Sequence, residues 1–142
     1  MGRYIESYRG HVLSSECDLF GHMNVQFYNT CLSQAMTVMI GAVGLTASKI
    51  AEHQRGFAAV EQNSKFFSEF LVGDIIHVES GILKTSSKTV TFHHRMYDSA
   101  NETLSYESTV TAAYMDLVSR KAVKLDEVVL PHIEMLQQGD VT

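Results

Sequence analysis

The sequence is poor in proline and cysteine, and nowhere does it concentrate positive charge. Its one proline, Pro131, lies in the tail. Its two cysteines, Cys17 and Cys31, read as free thiols, because a single cross-link from a loop to a buried helix would be unusual in a reducing cytosol. Lysines and arginines are scattered from Arg3 to Lys124 and the net charge is −5, so the basic face that a nucleic-acid binder needs is missing. The stretch Met1 to Arg9 carries an acid and two basic residues and lacks an apolar signal core. Secretion is therefore not indicated, and the expected location is the cytoplasm. There are no internal repeats and no low-complexity segment. A chain of 142 residues that is 45% hydrophobic is expected to form one domain, 1–142, with a moderate core.

The most informative absence is local. From Val25 to Gly44 there is no Asp, Glu, Lys, Arg or His, although 19% of the whole chain is charged, so this stretch is built for burial. Gln26, Thr30 and Gln34 fall at i, i+4 and i+8, and Asn29, Ser33 and Thr37 repeat that spacing beside them. Phe27, Tyr28, Cys31, Leu32, Ala35, Met36, Met39, Ile40 and Val43 occupy the rest of the circumference. The pattern predicts a helix that is apolar over most of its surface and needs something wrapped around it, with Met36 and Met39 as adaptable core. A membrane span of roughly 20 residues has this length, but a stripe of six amides and hydroxyls would be costly in lipid. Asn24 is placed to cap the helix, and Gly41 and Gly44 mark its exit.

Just upstream lies Glu16-Cys17-Asp18-Leu19-Phe20-Gly21-His22-Met23-Asn24. Asp18 and His22 thus sit in a glycine-containing loop that runs into the start of a buried helix. Free backbone N–H groups and the helix dipole favour negative charge there, so an oxyanion could be held, and the loop is a candidate reaction site.

After Gly56 the period changes to two. A first short strand is expected at Tyr8 to Leu13, a short helical or irregular piece at Thr46 to Arg55 closed by Gly56, and strands at Phe57 to Phe67, Ile75 to Leu83, Thr89 to Tyr97 and Leu104 to Asp116. Ser86-Ser87 and Ser99-Ala100-Asn101 are turns, and Asp126 to Gln138 is a candidate terminal helix. Tight turns imply antiparallel neighbours. The expected fold is therefore α+β, one curved antiparallel sheet of about five strands around one long helix. Such a sheet leaves an edge, and a second copy of the chain is the natural cover for it.

Each candidate residue also has a plainer reading. Asp18 could bond its own backbone as a turn residue, His22 could be a packed loop histidine, and Asn24 could be only a cap. Phe57, Ala59, Glu61 and Asn63 share one strand face and Ala58, Val60, Gln62 and Ser64 the other, so either Glu61 or Val60 faces the helix. Glu61 is a candidate second acid/base if it faces a dimer cleft, and a solvated strand carboxylate if it does not. His93 and His94 point to opposite faces of one strand, which argues against a shared metal ion.

The loop Asp18-Leu19-Phe20-Gly21-His22-Met23-Asn24-Val25, with Tyr28 one turn inside the helix, and the later Phe66-Phe67-Ser68-Glu69-Phe70-Leu71-Val72-Gly73-Asp74, resemble the hotdog-fold acyl-CoA thioesterases of the 4-hydroxybenzoyl-CoA thioesterase type. The resemblance covers about residues 5 to 125. It implies hydrolysis of an acyl-CoA thioester at a dimer interface, often with dimers paired into tetramers, without metal and with coenzyme A present only as part of the substrate. The family's loop carboxylate, nucleophile or general base, maps onto Asp18. Its oxyanion donor, a backbone N–H at the helix start, maps near Val25, with Gly21 leaving room for the thioester. His22 and Asn24 match positions that hold His and Asn in many members, and Tyr28 would line the substrate site. Relatives with the acid inside the long helix are excluded, since this helix has none. One departure is Glu16, where the family often has Asp. The hairpin Ser86, Ser87 and Lys88 is a candidate contact for coenzyme A phosphates. Two alternatives are a hotdog protein that binds acyl-CoA without cleaving it, and a hydratase of enoyl or hydroxyacyl thioesters. The intact loop disfavours the first. The second would place its histidine near prolines or a carboxylate on the helix, and neither is present.

Overall fold

The structure, a computed structural model, describes residues 2–138. Strand β1 (Ile5–His11) is followed by a single 3₁₀ turn at Ser14–Glu16, the candidate loop, and helix α1 (Val25–Ala42). A short helix α2 (Ala47–His53) then leads into four long strands, β2 (Arg55–Phe66), β3 (Ile75–Thr85), β4 (Thr89–Asp98) and β5 (Thr103–Asp116). A two-residue strand β6 (Lys121–Ala122) and helix α3 (Leu130–Gln138) complete the described chain. The sheet is antiparallel in the order β1-β3-β4-β5-β2, with β6 paired to β5. The expected curved sheet and central helix are both present.

Helix α1 begins where the Asn24 side chain accepts the Gln26 N–H at 3.1 Å. It ends at Ala42, followed by Gly44 at φ +104, where a Cβ would also lie 2.6 Å from the Val128 carbonyl oxygen. Only glycine fits there on both counts. The sheet packs on one side of the helix, burying Tyr28, Cys31, Leu32, Ala35 and Met39. Asn29, Thr30, Ser33, Gln34, Thr37 and Val38 remain exposed, so one chain covers less of α1 than its composition predicts. Among the described residues no single helix is long and apolar enough to cross a membrane.

Two clusters form the core. Around the first half of α1, Phe70, Ile76, Val78, Met96 and Tyr106 pack with Tyr28 and Leu32. Around its second half, Phe92, Ala112 and Tyr114 pack with Met39 and Val43, and Val129, Ile133 and Leu136 close that end from α3 and the segment before it. His94 lies among these side chains fully buried, on the helix-facing side of β4. Its Nδ1 is 2.6 Å from Ser80 Oγ, which is 2.6 Å from Ser7 Oγ, and its Nε2 is 3.2 Å from Met36 Sδ. Burial and the neighbouring His93 hold its pKa down at about 4. His93 faces outward, between Tyr4 and Glu107, so the two histidines do point to opposite faces.

Four sequence expectations need correction. Strand β1 starts at Ile5 rather than Tyr8 and stops at His11, opposite Ile75 where its partner β3 begins; Val12 continues the register only as far as one bond to the Asp74 carbonyl, at 3.0 Å, and one from the Gly73 N–H. Helix α2 is closed by Gln54 in the left-handed conformation, φ +53, and not by Gly56. Helix α3 starts at Leu130, four residues later than Asp126. In β2 a bulge at Val60 breaks the alternation: Ala59 pairs with Ala112, and the next paired residue, Glu61, lies opposite Thr111. Phe57 and Ala59 therefore share the helix face with Gln62, Ser64 and Phe66, while Glu61 joins the outer face.

Candidate active site

The loop before α1 is tied down at both ends. Glu16 Oε1 accepts the Leu13 N–H at 2.7 Å, and the Glu16 carbonyl accepts the Asn24 N–H at 2.8 Å. Glu16 thus closes the 3₁₀ turn and seats the cap residue, which gives the departure at this position a structural role. Within the loop the Asp18 N–H donates to the His22 carbonyl at 2.9 Å and the Gly21 N–H to the Asp18 carbonyl at 3.1 Å. Gly21 sits at φ +82, a conformation that side chains resist, with open space around it. The loop base is fastened to the turn after β2, since the Met23 N–H donates to the Phe70 carbonyl at 2.9 Å and His22 pairs with Leu71.

Asp18 uses one oxygen to hold this loop. Its Oδ1 accepts the Phe20 N–H at 2.8 Å and the His22 N–H at 3.4 Å. The turn reading of Asp18 is therefore correct for Oδ1, while Oδ2 has no hydrogen-bond partner among the described residues. At the helix start, the Gln26 and Phe27 N–H groups are taken by the side chain and carbonyl of Asn24. The Val25 N–H meets no acceptor among the described residues.

A cleft of about 890 Å³ brings these groups together. Asp18, His22, Asn24, Val25 and Tyr28 line it, with Phe20 and Met23 from the loop and Phe66, Phe67, Ser68 and Glu69 from the far wall. Tyr28 lies against the rings of Phe66, Phe70 and Tyr106, and burial pushes its hydroxyl up to about 12, so it stays protonated. The lining holds two carboxylates and one imidazole but no lysine or arginine. His22 Nε2 is 3.0 Å from Glu69 Oε2. An unengaged carboxylate oxygen and a free N–H at a helix start can, between them, deprotonate a nucleophile and receive a developing oxyanion.

Residues 12–133 match the family profile described as the thioesterase-like superfamily. This chain belongs to that superfamily. Its class of activity is thioester hydrolysis, and its curved sheet around one helix is the hotdog fold. Among solved structures, the hypothetical protein SAV2348 from Staphylococcus aureus in complex with CoA superposes with a TM-score of 0.88 at 18% identity, covering 99% of this chain and 89% of the other. Slr0204, a 1,4-dihydroxy-2-naphthoyl-CoA thioesterase from Synechocystis, gives 0.79 at 16% identity, covering 94% and 97%. The gentisyl-coenzyme A thioesterase BH1999 gives 0.74 at 16% identity, covering 89% and 98%. At these identities the likeness bears on the fold.

Two groups of predicted residues lie away from the cleft of this thioesterase. Glu61 is exposed on the outer face of β2, turned there by the Val60 bulge. Ser86, Ser87 and Lys88 form the β3–β4 turn at the opposite end of the sheet, where the Lys88 carbonyl accepts the Tyr114 N–H. Phe20, Met23, Phe66, Phe67, Ser68 and Glu69 line the cleft although the sequence marks none of them as a candidate site residue. The available signal for Glu69 was a lone charge in the apolar run from Phe66 to Val72.

Proposed function

We propose that this superfamily member hydrolyses an acyl-CoA thioester to the free acid and coenzyme A, with Asp18 as its base or nucleophile. The carrying observation is the meeting, in one cleft, of a carboxylate whose second oxygen is unengaged and a helix-start N–H with no acceptor. In the base route, a water oxygen attacks the thioester carbonyl while Asp18 Oδ2 takes its proton. The Val25 N–H receives the oxyanion, and Gly21 leaves the approach open. Collapse breaks the C–S bond, and the coenzyme A thiolate leaves with the proton from Asp18. In the nucleophile route, Asp18 Oδ2 attacks the carbonyl, the C–S bond breaks and coenzyme A thiolate leaves, and water then cleaves the mixed anhydride to the free acid and the Asp18 carboxylate. Thioester carbonyls are already electrophilic, so this chemistry needs neither metal nor organic cofactor. His22 is assigned to acid–base or orienting work, and Asn24 keeps the helix start in place.

The same reading takes the working unit as a homodimer, which can pair further into a tetramer. Strand β2 is an edge of twelve residues, exposed from Ala58 to Asn63, and edges of this length are normally covered. The uncovered side of α1 lies beside it, where Gln62 bonds Asn29 at 3.0 Å. Antiparallel pairing of β2 with its copy would also bring the Ser86–Lys88 turn toward the second cleft. That turn lies beside the Ala58 region of the strand, about 25 Å along it from Phe66. Lys88 would then meet phosphate of a substrate held mainly by the other chain. With free thiols at Cys17 and Cys31, the protein is assigned to the cytoplasm.

The test is thiol release from short, long, aromatic and cationic acyl-CoAs by the wild type and Asp18→Asn. The expected result is turnover of at least one acyl class that is lost in the variant; near-normal turnover by Asp18→Asn would overturn the assignment. Label found in Asp18 after a single turnover in ¹⁸O-water identifies the nucleophile route, with water attacking the anhydride at the Asp18 carbonyl.

A further inference from the structure

We infer that Glu69 is a positioning residue of this site: it holds the imidazole of His22 through Nε2 and leaves Nδ1 as the ring's bare nitrogen. This rests on the reading of the cleft as a thioesterase site. The pair is close, Nε2 to Oε2 at 3.0 Å, yet both side chains are substantially exposed, 32% for His22 and 67% for Glu69. An ion pair so exposed contributes little to stability, so stability does not account for it.

What distinguishes the pair from an ordinary surface contact is how it is held. Glu69 and His22 come from segments far apart in sequence, and both line the cleft beside Asp18. Backbone bonds fix the two segments next to the pair, Met23 to Phe70 at 2.9 Å and the bridge between His22 and Leu71. The His22 main chain is further tied to Asp18 Oδ1. The ring is thus fixed at its backbone by one carboxylate and at its edge by another. No other charged side chain among the described residues lines the cleft.

A carboxylate can only accept, so a neutral His22 in this contact carries its proton on Nε2. Nδ1 then has an open lone pair in every molecule, which a proton acceptor at a reaction site requires. The third member of a hydrolase triad acts in this way, fixing tautomer and orientation without touching the substrate. Glu69 is the corresponding group here, supplied by the turn that follows β2.

The experiment uses full-length protein with ¹⁵N-histidine and reads the ring nitrogens of His22 at about pH 8.5, above the ordinary histidine range. The wild type is expected to show the Nε2–H tautomer. Glu69→Ala is expected to lose that single tautomer, and Glu69→Gln, which keeps an acceptor oxygen, to restore it. With whichever of acetyl-, decanoyl- and benzoyl-CoA the wild type cleaves, Glu69→Ala should lower kcat about tenfold with KM within about twofold, and Glu69→Gln should recover most of the loss. An Nδ1–H tautomer, or ring signals unchanged in Glu69→Ala, overturns the inference. So does an unchanged kcat. Glu69→Gln as inactive as Glu69→Ala also overturns it, because Glu69 would then act through its charge. The ring measurement needs no substrate, so it decides the pairing even if none of the three acyl-CoAs is cleaved.

Discussion

The two ends of α1 are finished in opposite ways. At its C-terminal end Gly44 lets the Val128 carbonyl come close, and Val129 and Ile133 are 0% and 2% exposed over Met39 and Val43. At its N-terminal end Leu19 is 100% and Phe20 82% exposed, and Val25, Phe66 and Phe67 are each more than half exposed around an open cleft. Apolar surface left open on this scale marks a binding region, and the contrast separates a half that holds the fold from a half that carries the candidate site.

The sharpest way to break this contrast is Asp18→Asn. Asparagine keeps an Oδ1 acceptor for the loop N–H groups, so the variant should fold with an unchanged melting temperature while turnover falls by roughly 10²-fold or more. Thiol release and a thermal melt on the same preparation check both halves. The opposite end should answer the other way. Ile133→Ala is expected to cost about 2–5 kcal/mol in chemical denaturation, because it empties a closed core, whereas the half-exposed Phe67→Ala should cost much less. Equal losses from the two would erase the distinction.

A third effect is read through pH. His94 belongs to the closed half, and its folded pKa of about 4 lies below the ordinary histidine value of 6.5. Above pH 6.5 it is neutral in both states and contributes no pH dependence. Between 6.5 and 4 the unfolded chain binds the proton and the folded one does not, so stability falls as the pH falls, by up to about 3 kcal/mol. Below 4 this contribution levels off. Urea titrations from pH 7 to 4 should show the slope, and His94→Gln should flatten it. The smallest effect is expected at the helix start, where Asn24→Ala should cost about 1 kcal/mol and leave the fold intact.

Much of this was legible in advance because burial leaves marks on composition. The uncharged stretch from Val25 to Gly44 marked a helix with a large apolar surface, of which one side is buried here, and Val90, Phe92 and Met96 alternate because one side of β4 meets that helix. Legibility ended where neither side of the chain is buried. Ala58, Ala59, Val60 and Glu61 are exposed or nearly so on both faces of an edge strand, so no in–out pattern betrayed the bulge that turns Glu61 outward. Within the site, the residues before α1 were found because loop chemistry and helix dipole coincide there. Glu69 is not legible as a site residue, since its neighbour across the cleft is 47 positions away, a separation that local spacing cannot encode.

The clamp between Met23 and Phe70 carries one more implication. The base of the candidate loop is sewn to a second segment, while its tip, Leu19 and Phe20, touches little of the fold. Base and tip are thus separable modules. Exchange of the tip side chains leaves the backbone bonds that seat Asp18 untouched, a form of evolvability built into the stitching of the loop.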